Sequence, residues 1–174
     1  MEYFLKSARL GFREWTEGDL PLATQLWGDP EATARIGGPF TREMIRARLE
    51  KEIAQGREFG LQYWPVFLLE GNEFAGCAGV RPYKMEERVL ELGAHLRRKF
   101  WGQGMATEAT RAAIDYAFAT LGAEALFAGH HPQNDSSKKL LNKLGFARTH
   151  EELYPPTGLM HPSYLLRKSE WEPR

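Results

Sequence analysis

The segment from Arg88 to Gly129 constrains the fold more than any other part of the chain. Within Arg88–Leu96, Leu90, Leu92, Ala94 and Leu96 fall on one side, and Val89, Glu91, Gly93 and His95 on the other. That two-residue period predicts a strand with one core face and one more polar face. A turn carrying Gly102 and Gly104 follows, and Met105–Leu121 then reads as a helix. Its Ala106, Ala109, Ala112, Ala113 and Ala117 favour helix and let it lie close against a sheet. Ala125–Gly129 reads as a short strand, and Ser136–Leu144 as a short helix stopped by Gly145-Phe146. A strand–helix–strand–helix run belongs to the α/β class.

The flanking sequence adds a first strand within Ala8–Trp15 and a helix over Asp19–Trp27 that Asp19 can cap. A second helix is expected from Thr41 to about Gln55, with Met44, Ile45, Leu49 and Ile53 as its apolar stripe and Gly56 as its stop. Leu61–Leu69 and Glu73–Val80 read as a hairpin about Glu70-Gly71-Asn72. Ala147–Leu153 and Ser163–Arg167 supply two closing strands. With 174 residues and no repeat or long linker, one domain spanning 1–174 is expected.

Charge narrows the possible partners. Twenty-three Lys+Arg balance twenty-three Asp+Glu, so no overall field draws the chain to nucleic acid or an anionic membrane. Any phosphate it binds must be held locally. No stretch is apolar enough to span a bilayer, and the single Cys77 fits a reducing, cytoplasmic setting. Cys77 sits among small residues and is expected to be an inert, buried thiol. His130-His131 would point to opposite faces of a strand, and no second histidine follows His150-Glu151-Glu152 at metal-binding spacing, so no metal is expected.

The chemistry is concentrated in Arg97-Arg98-Lys99-Phe100-Trp101-Gly102-Gln103-Gly104-Met105-Ala106-Thr107-Glu108. The first amides of the following helix lack intrahelical acceptors, and glycine lets an anion approach the backbone. Together they can cradle a diphosphate, with Arg97, Arg98 and Lys99 adding charge. The plainer alternative is a tight turn whose glycines serve geometry alone. No Gly-Lys-Ser/Thr is present, and Thr107 stands where the dinucleotide fingerprint has its third glycine.

A second segment, Asn134-Asp135-Ser136-Ser137 through Leu144-Gly145-Phe146, lies one helix and one strand downstream. With both segments in order, the sequence resembles the GNAT superfamily of acetyl-CoA-dependent N-acetyltransferases. Trp101-Gly102-Gln103-Gly104-Met105-Ala106 is similar to the family's pyrophosphate loop, and Asn134-x-x-Ser137 to its second cofactor segment. Trp101 replaces the usual Gln or Arg, and Leu141 the tyrosine often thought to protonate the thiolate; both departures resemble the ribosomal-protein N-terminal acetyltransferases.

The resemblance implies a mixed, mostly antiparallel, twisted sheet of about seven strands with about four helices, splayed between the Glu91 and Ala125 strands. Acetyl-CoA would be held by Leu96, Arg97, Arg98, Trp101, Gly102, Gln103, Gly104, Met105, Ala106, Thr107, Asn134 and Ser137. Backbone amides near Leu96 would hold the thioester carbonyl, a device worth ~3–4 kcal/mol per donor. Direct transfer to a primary amine, on a protein N-terminus or a small molecule, is implied, and the resemblance leaves room for a homodimer. Glu91, His95 or a water could take the amine's proton, and Glu91 could equally be a structural partner of an arginine. Ser137 could assist the sulfur or merely cap its helix. A non-catalytic acyl-CoA-binding module remains the alternative reading.

Overall fold

The computed structural model of the chain describes residues 1–173. In chain order they form β1 (Leu5–Lys6), β2 (Leu10–Phe12), α1 (Leu20–Trp27), α2 (Pro30–Thr33), α3 (Arg42–Phe59), β3 (Tyr63–Leu68) and β4 (Phe74–Lys84). Then follow β5 (Val89–Leu96), α4 (Met105–Ala119), β6 (Ala125–Gly129), α5 (Asp135–Lys143), β7 (Ala147–Tyr154) and β8 (Leu159–Arg167). All eight strands belong to one sheet, ordered β1-β2-β3-β4-β5-β6-β8-β7. Among the described residues only β5 and β6 pair in parallel, because the α4 crossover returns the chain in the same direction. The mixed, mostly antiparallel sheet is the expected one, with one more strand and one more helix than the sequence suggests.

The alternation in β5 sorts the two faces. Leu90, Leu92 and Leu96 join the core that carries Ala109, Ala113 and Ala117 of α4 and Leu141 of α5. On the other face, Ala23, Leu26 and Trp27 of α1 and Ile45, Leu49 and Ile53 of α3 pack on Tyr63, Phe67 and Cys77. Leu141 is thus a core residue of the α4 side.

Several boundaries differ from those expected. The first strand is confined to Leu10–Phe12, with β1 before it. Asp19 precedes α1, but its carboxylate accepts from the Thr16 amide at 2.7 Å and the Thr16 hydroxyl at 2.9 Å, so it closes a preceding single turn instead. Thr41 does cap α3, accepting from the Met44 amide at 3.2 Å. That helix runs through Gly56 to Phe59 and ends at Gly60, which has φ +70°. Gly56 is kept small by the Gln62 carboxamide packed on it, so it is a contact inside the helix rather than a stop. Met44 is exposed, and Glu52 takes the buried place beside Ile53.

Candidate active site

The sheet parts at one place. β5 pairs with β6 at Val89, Leu90 and Glu91, opposite Ala125, Leu126 and Phe127, and beyond those residues the two strands separate. The Arg97 amide donates to the Ala75 carbonyl of the neighbouring strand. Alternation then turns the peptide groups of Gly93 and His95 toward β4, and those of Ala94 and Leu96 into the gap. The Leu96 carbonyl accepts there from the Trp101 indole at 2.8 Å.

At the end of β5 the chain turns through the glycine loop into α4. Gly102 (φ +72°) and Gly104 (φ +75°) adopt left-handed conformations that a side chain would strain. The space above them is also open: a Cβ on Gly102 would meet nothing within 4 Å, and one on Gly104 only Arg9 Nη2 at 3.8 Å. No side chain caps α4, so the amides of Met105, Ala106 and Thr107 lack protein partners from the helix itself. Both features fit an anion seated on the backbone.

The cations near the loop are arranged differently from their sequence order. Arg97 donates to the Phe74 carbonyl at 2.8 Å and lies 3.7 Å from Glu73. Arg98 is bound to Asp29 at 2.6 Å and Glu31 at 3.1 Å, and Lys99 pairs with Glu73. All three charges are thus already engaged by protein partners. Arg9 is the cation at the loop: its guanidinium donates to the Gln103 carbonyl at 3.2 Å while its Nε binds Glu108 at 2.6 Å. Glu108 also accepts from the Ser7 hydroxyl and the Arg9 amide. Burial opposes its charge, but these donors hold its carboxyl below the usual range. The Gln103 side chain itself donates to the Lys99 carbonyl at 2.7 Å.

Across the gap, Asn134 caps α5 by accepting from the Ser137 amide at 3.2 Å. The cap is therefore Asn134, and Ser137 keeps its hydroxyl free of that duty.

On the α1/α3 face, Glu91 lies half-buried at the last paired position before the gap. Its Oε1 accepts from the Tyr63 hydroxyl at 2.9 Å. Tyr63 reaches it across β4 because Gly93 has no side chain: a Cβ there would strike the phenol. Burial, then the Glu91 charge, pushes the Tyr63 hydroxyl well above its ordinary range, so it remains a donor. His95 lies on the same face, with Nδ1 3.4 Å from the Trp27 indole and 3.9 Å from Cys77 Sγ. Burial, then Arg48 and Arg81, holds His95 well below the usual imidazole range. Burial pushes the Cys77 thiol up to about 12. Neither group is poised for proton transfer or attack at neutral pH.

Tyr63, Arg9, Arg48 and Arg81 are absent from the site expected from sequence. Only Gly93, a glycine inside an alternating strand, signals a close approach. Among the described residues no helix is long and apolar enough to cross a membrane, and no group of three or more metal-ligating side chains gathers.

Comparison with known proteins adds to this geometry. The Acetyltransferase (GNAT) domain family matches residues 9–147. A protein of Bacillus licheniformis described as an uncharacterized N-acetyltransferase, p20, is 32% identical over 151 residues, covering 83% of this chain and 82% of that protein. An acetyltransferase from Agrobacterium tumefaciens superposes with a TM-score of 0.80 at 26% identity, covering 97% of this chain and 98% of that one. The ribosomal L7/L12 α-N-protein acetyltransferase RimL shares the fold, with a TM-score of 0.80 at 18% identity and coverage of 95% and 94%.

Proposed function

The chain belongs to the GNAT acetyltransferase family, and on that premise we propose that it moves acetyl from acetyl-CoA directly onto a primary amine, with Glu91 as proton acceptor. The observation that carries this reading is the parting of β5 from β6 immediately past Glu91, with the open glycine loop at the end of the same strand.

Acetyl-CoA supplies an activated acetyl thioester with a thiolate as leaving group. The Met105, Ala106 and Thr107 amides, with Arg9 beside them, hold its pyrophosphate. The gap-facing peptide groups of Ala94 and Leu96 pair with its amide arm, and Asn134 contacts that arm from the other wall. Glu91 removes a proton from the incoming ammonium, so the nitrogen can bond to the acetyl carbon as the carbon–sulfur bond breaks. The Ser137 hydroxyl stands on the opposite wall and assists the departing sulfur. Tyr63 keeps the Glu91 carboxylate oriented toward the gap. The desolvated, cation-flanked His95 supports giving the proton-accepting role to Glu91.

Isothermal titration with CoA, followed by thiol release from acetyl-CoA with an amine panel, tests the reading. Micromolar binding and amine-dependent release are expected. No binding at millimolar CoA overturns it.

A further inference from the structure

The α1/α3 face beside Glu91 gathers three cations. α3 places Arg48, Lys51, Glu52 and Gln55 at helical spacing, and β4 adds Arg81. Glu52 is fully buried and both its oxygens are used: Oε1 by Arg81 and Oε2 by the Tyr63 amide at 2.9 Å. Glu91 accepts from Tyr63. Arg48, Lys51 and Arg81 therefore face two carboxylates, leaving one surplus positive charge.

Arg48 is a half-buried cation without a counterpart. Among the described residues it makes no ion pair, and its buried Nε has no hydrogen-bond partner. Its guanidinium lies over the rings of Trp27 at 5.1 Å and Phe40 at 5.3 Å. The Nε of Arg81 is likewise buried and unpartnered, and that guanidinium stacks 3.7 Å from the Tyr63 ring centroid. Both arginines act electrostatically on His95, which lies on the strand bordering the gap. Burial, then Arg81 and Arg48, also lowers the Lys51 ammonium below its ordinary range. A buried charge short of a partner is costly, and a planar guanidinium fork is the natural receptor for a carboxylate.

We infer that the acceptor carries a carboxylate next to its amine, and that Arg48 and Arg81, with Lys51 at the rim, hold that carboxylate while Glu91 faces the amine. The inference rests on the proposed acetyl transfer at Glu91 and names its substrate class: a free amino acid or a close analogue. A single surplus charge suits a monoanion, because Glu52 and Glu91 would repel a doubly charged group. A protein N-terminus presents an amide at the position where an amino acid presents its carboxylate, so it leaves Arg48 unpaired.

The test compares the L-amino acids with their carboxamides in acetyl-CoA thiol release. The best acid should exceed its carboxamide about 10–100-fold in kcat/KM, as expected for hydrogen bonds to a charged group. Arg48→Met should shrink that ratio to about twofold, and Arg48→Lys should restore part of it. Equal rates for acid and amide, or an undiminished ratio in Arg48→Met, overturn the inference. Calorimetric binding of the same amino acid to CoA-loaded protein, with thermal melts to confirm folding of each variant, provides a readout independent of turnover. An acid bound through Arg48 but never acetylated upholds this subsite and defeats the proposed transfer. Amines acetylated without preference for acids do the reverse, and no acid bound at millimolar concentration overturns the subsite outright.

Discussion

Tyr63 and Glu91 lie on strands separated by β4, yet the phenol donates to the carboxylate at 2.9 Å. Glu91→Gln preserves shape and removes basicity, so kcat near neutral pH should fall by roughly 10²–10⁴ with CoA affinity unchanged. Tyr63→Phe removes the donor that holds the carboxylate in place. Its kcat should fall less than in Glu91→Gln, by about 3–10-fold, with CoA affinity unchanged. An identical kcat in wild type and Tyr63→Phe would detach Tyr63 from the chemistry.

Gly104 and Gly60 share nearly the same backbone, with φ of +75° and +70°, and neither is crowded: a Cβ on Gly60 would meet nothing within 4 Å, and one on Gly104 only Arg9 Nη2 at 3.8 Å. Replacing either by Ala should cost about 1 kcal/mol through backbone strain. Only Gly104→Ala should also weaken CoA binding, by about tenfold or more, since Gly60 ends α3 away from the loop. Arg98→Ala should leave CoA affinity nearly intact, because that guanidinium is committed to Asp29 and Glu31. Calorimetry and melting curves on the three variants separate strain from binding.

Ser137→Ala should lower kcat about tenfold without changing the melting temperature, because Asn134 supplies the helix cap. Asn134→Ala should cost about 1 kcal/mol of stability as well as CoA affinity. Loss of stability in Ser137→Ala with full activity would make that residue structural.

The pH dependence of stability should carry a histidine signature. His95 is held well below its unfolded value of 6.5, chiefly by burial. The unfolded chain therefore binds the extra proton first, and stability present above pH 6.5 is lost as pH falls from there toward the folded value. The urea midpoint should drop between about pH 7 and about pH 5.5, and His95→Gln should flatten that slope. His161, lowered by burial and then by His131 and His130, supplies a residual slope.

Cys77 should take no part in turnover. With its thiol near 12, only about one molecule in 10⁵ carries a thiolate at pH 7. Cys77→Ala should keep near-normal kcat, and initial-rate plots for acetyl-CoA and amine should intersect. Acetyl found on Cys77 and then passed to an amine would replace direct transfer with a two-step route.

What can be read from the sequence is local. The alternation of Val89–Leu96 and the alanine-rich Met105–Ala119 are periodic, so their faces are legible from residue order alone. The glycine loop is legible because left-handed backbone has a residue signature. Long-range partners are not. Arg97, Arg98 and Lys99 adjoin the loop in sequence, but Glu73, Asp29 and Glu31 decide where their charges go. Arg9 and Glu108 meet across 99 residues, and their pairing depends on strand order, which no local pattern encodes. Gly56 misleads for the same reason: its contact with Gln62 lies outside its own helix.

The parting of β5 from β6 gives the sheet two edges in its interior as well as two at its rim. Exposed strand edges invite pairing with other chains, and proteins ordinarily blunt them. Here the Trp101 indole covers the Leu96 carbonyl on one inner edge. An extended amide-bearing ligand lying between the strands would satisfy the rest, acting as a missing strand. Loading with such a ligand should thus suppress self-association as well as raise thermal stability, and a chain starved of it would be the form most prone to aggregate.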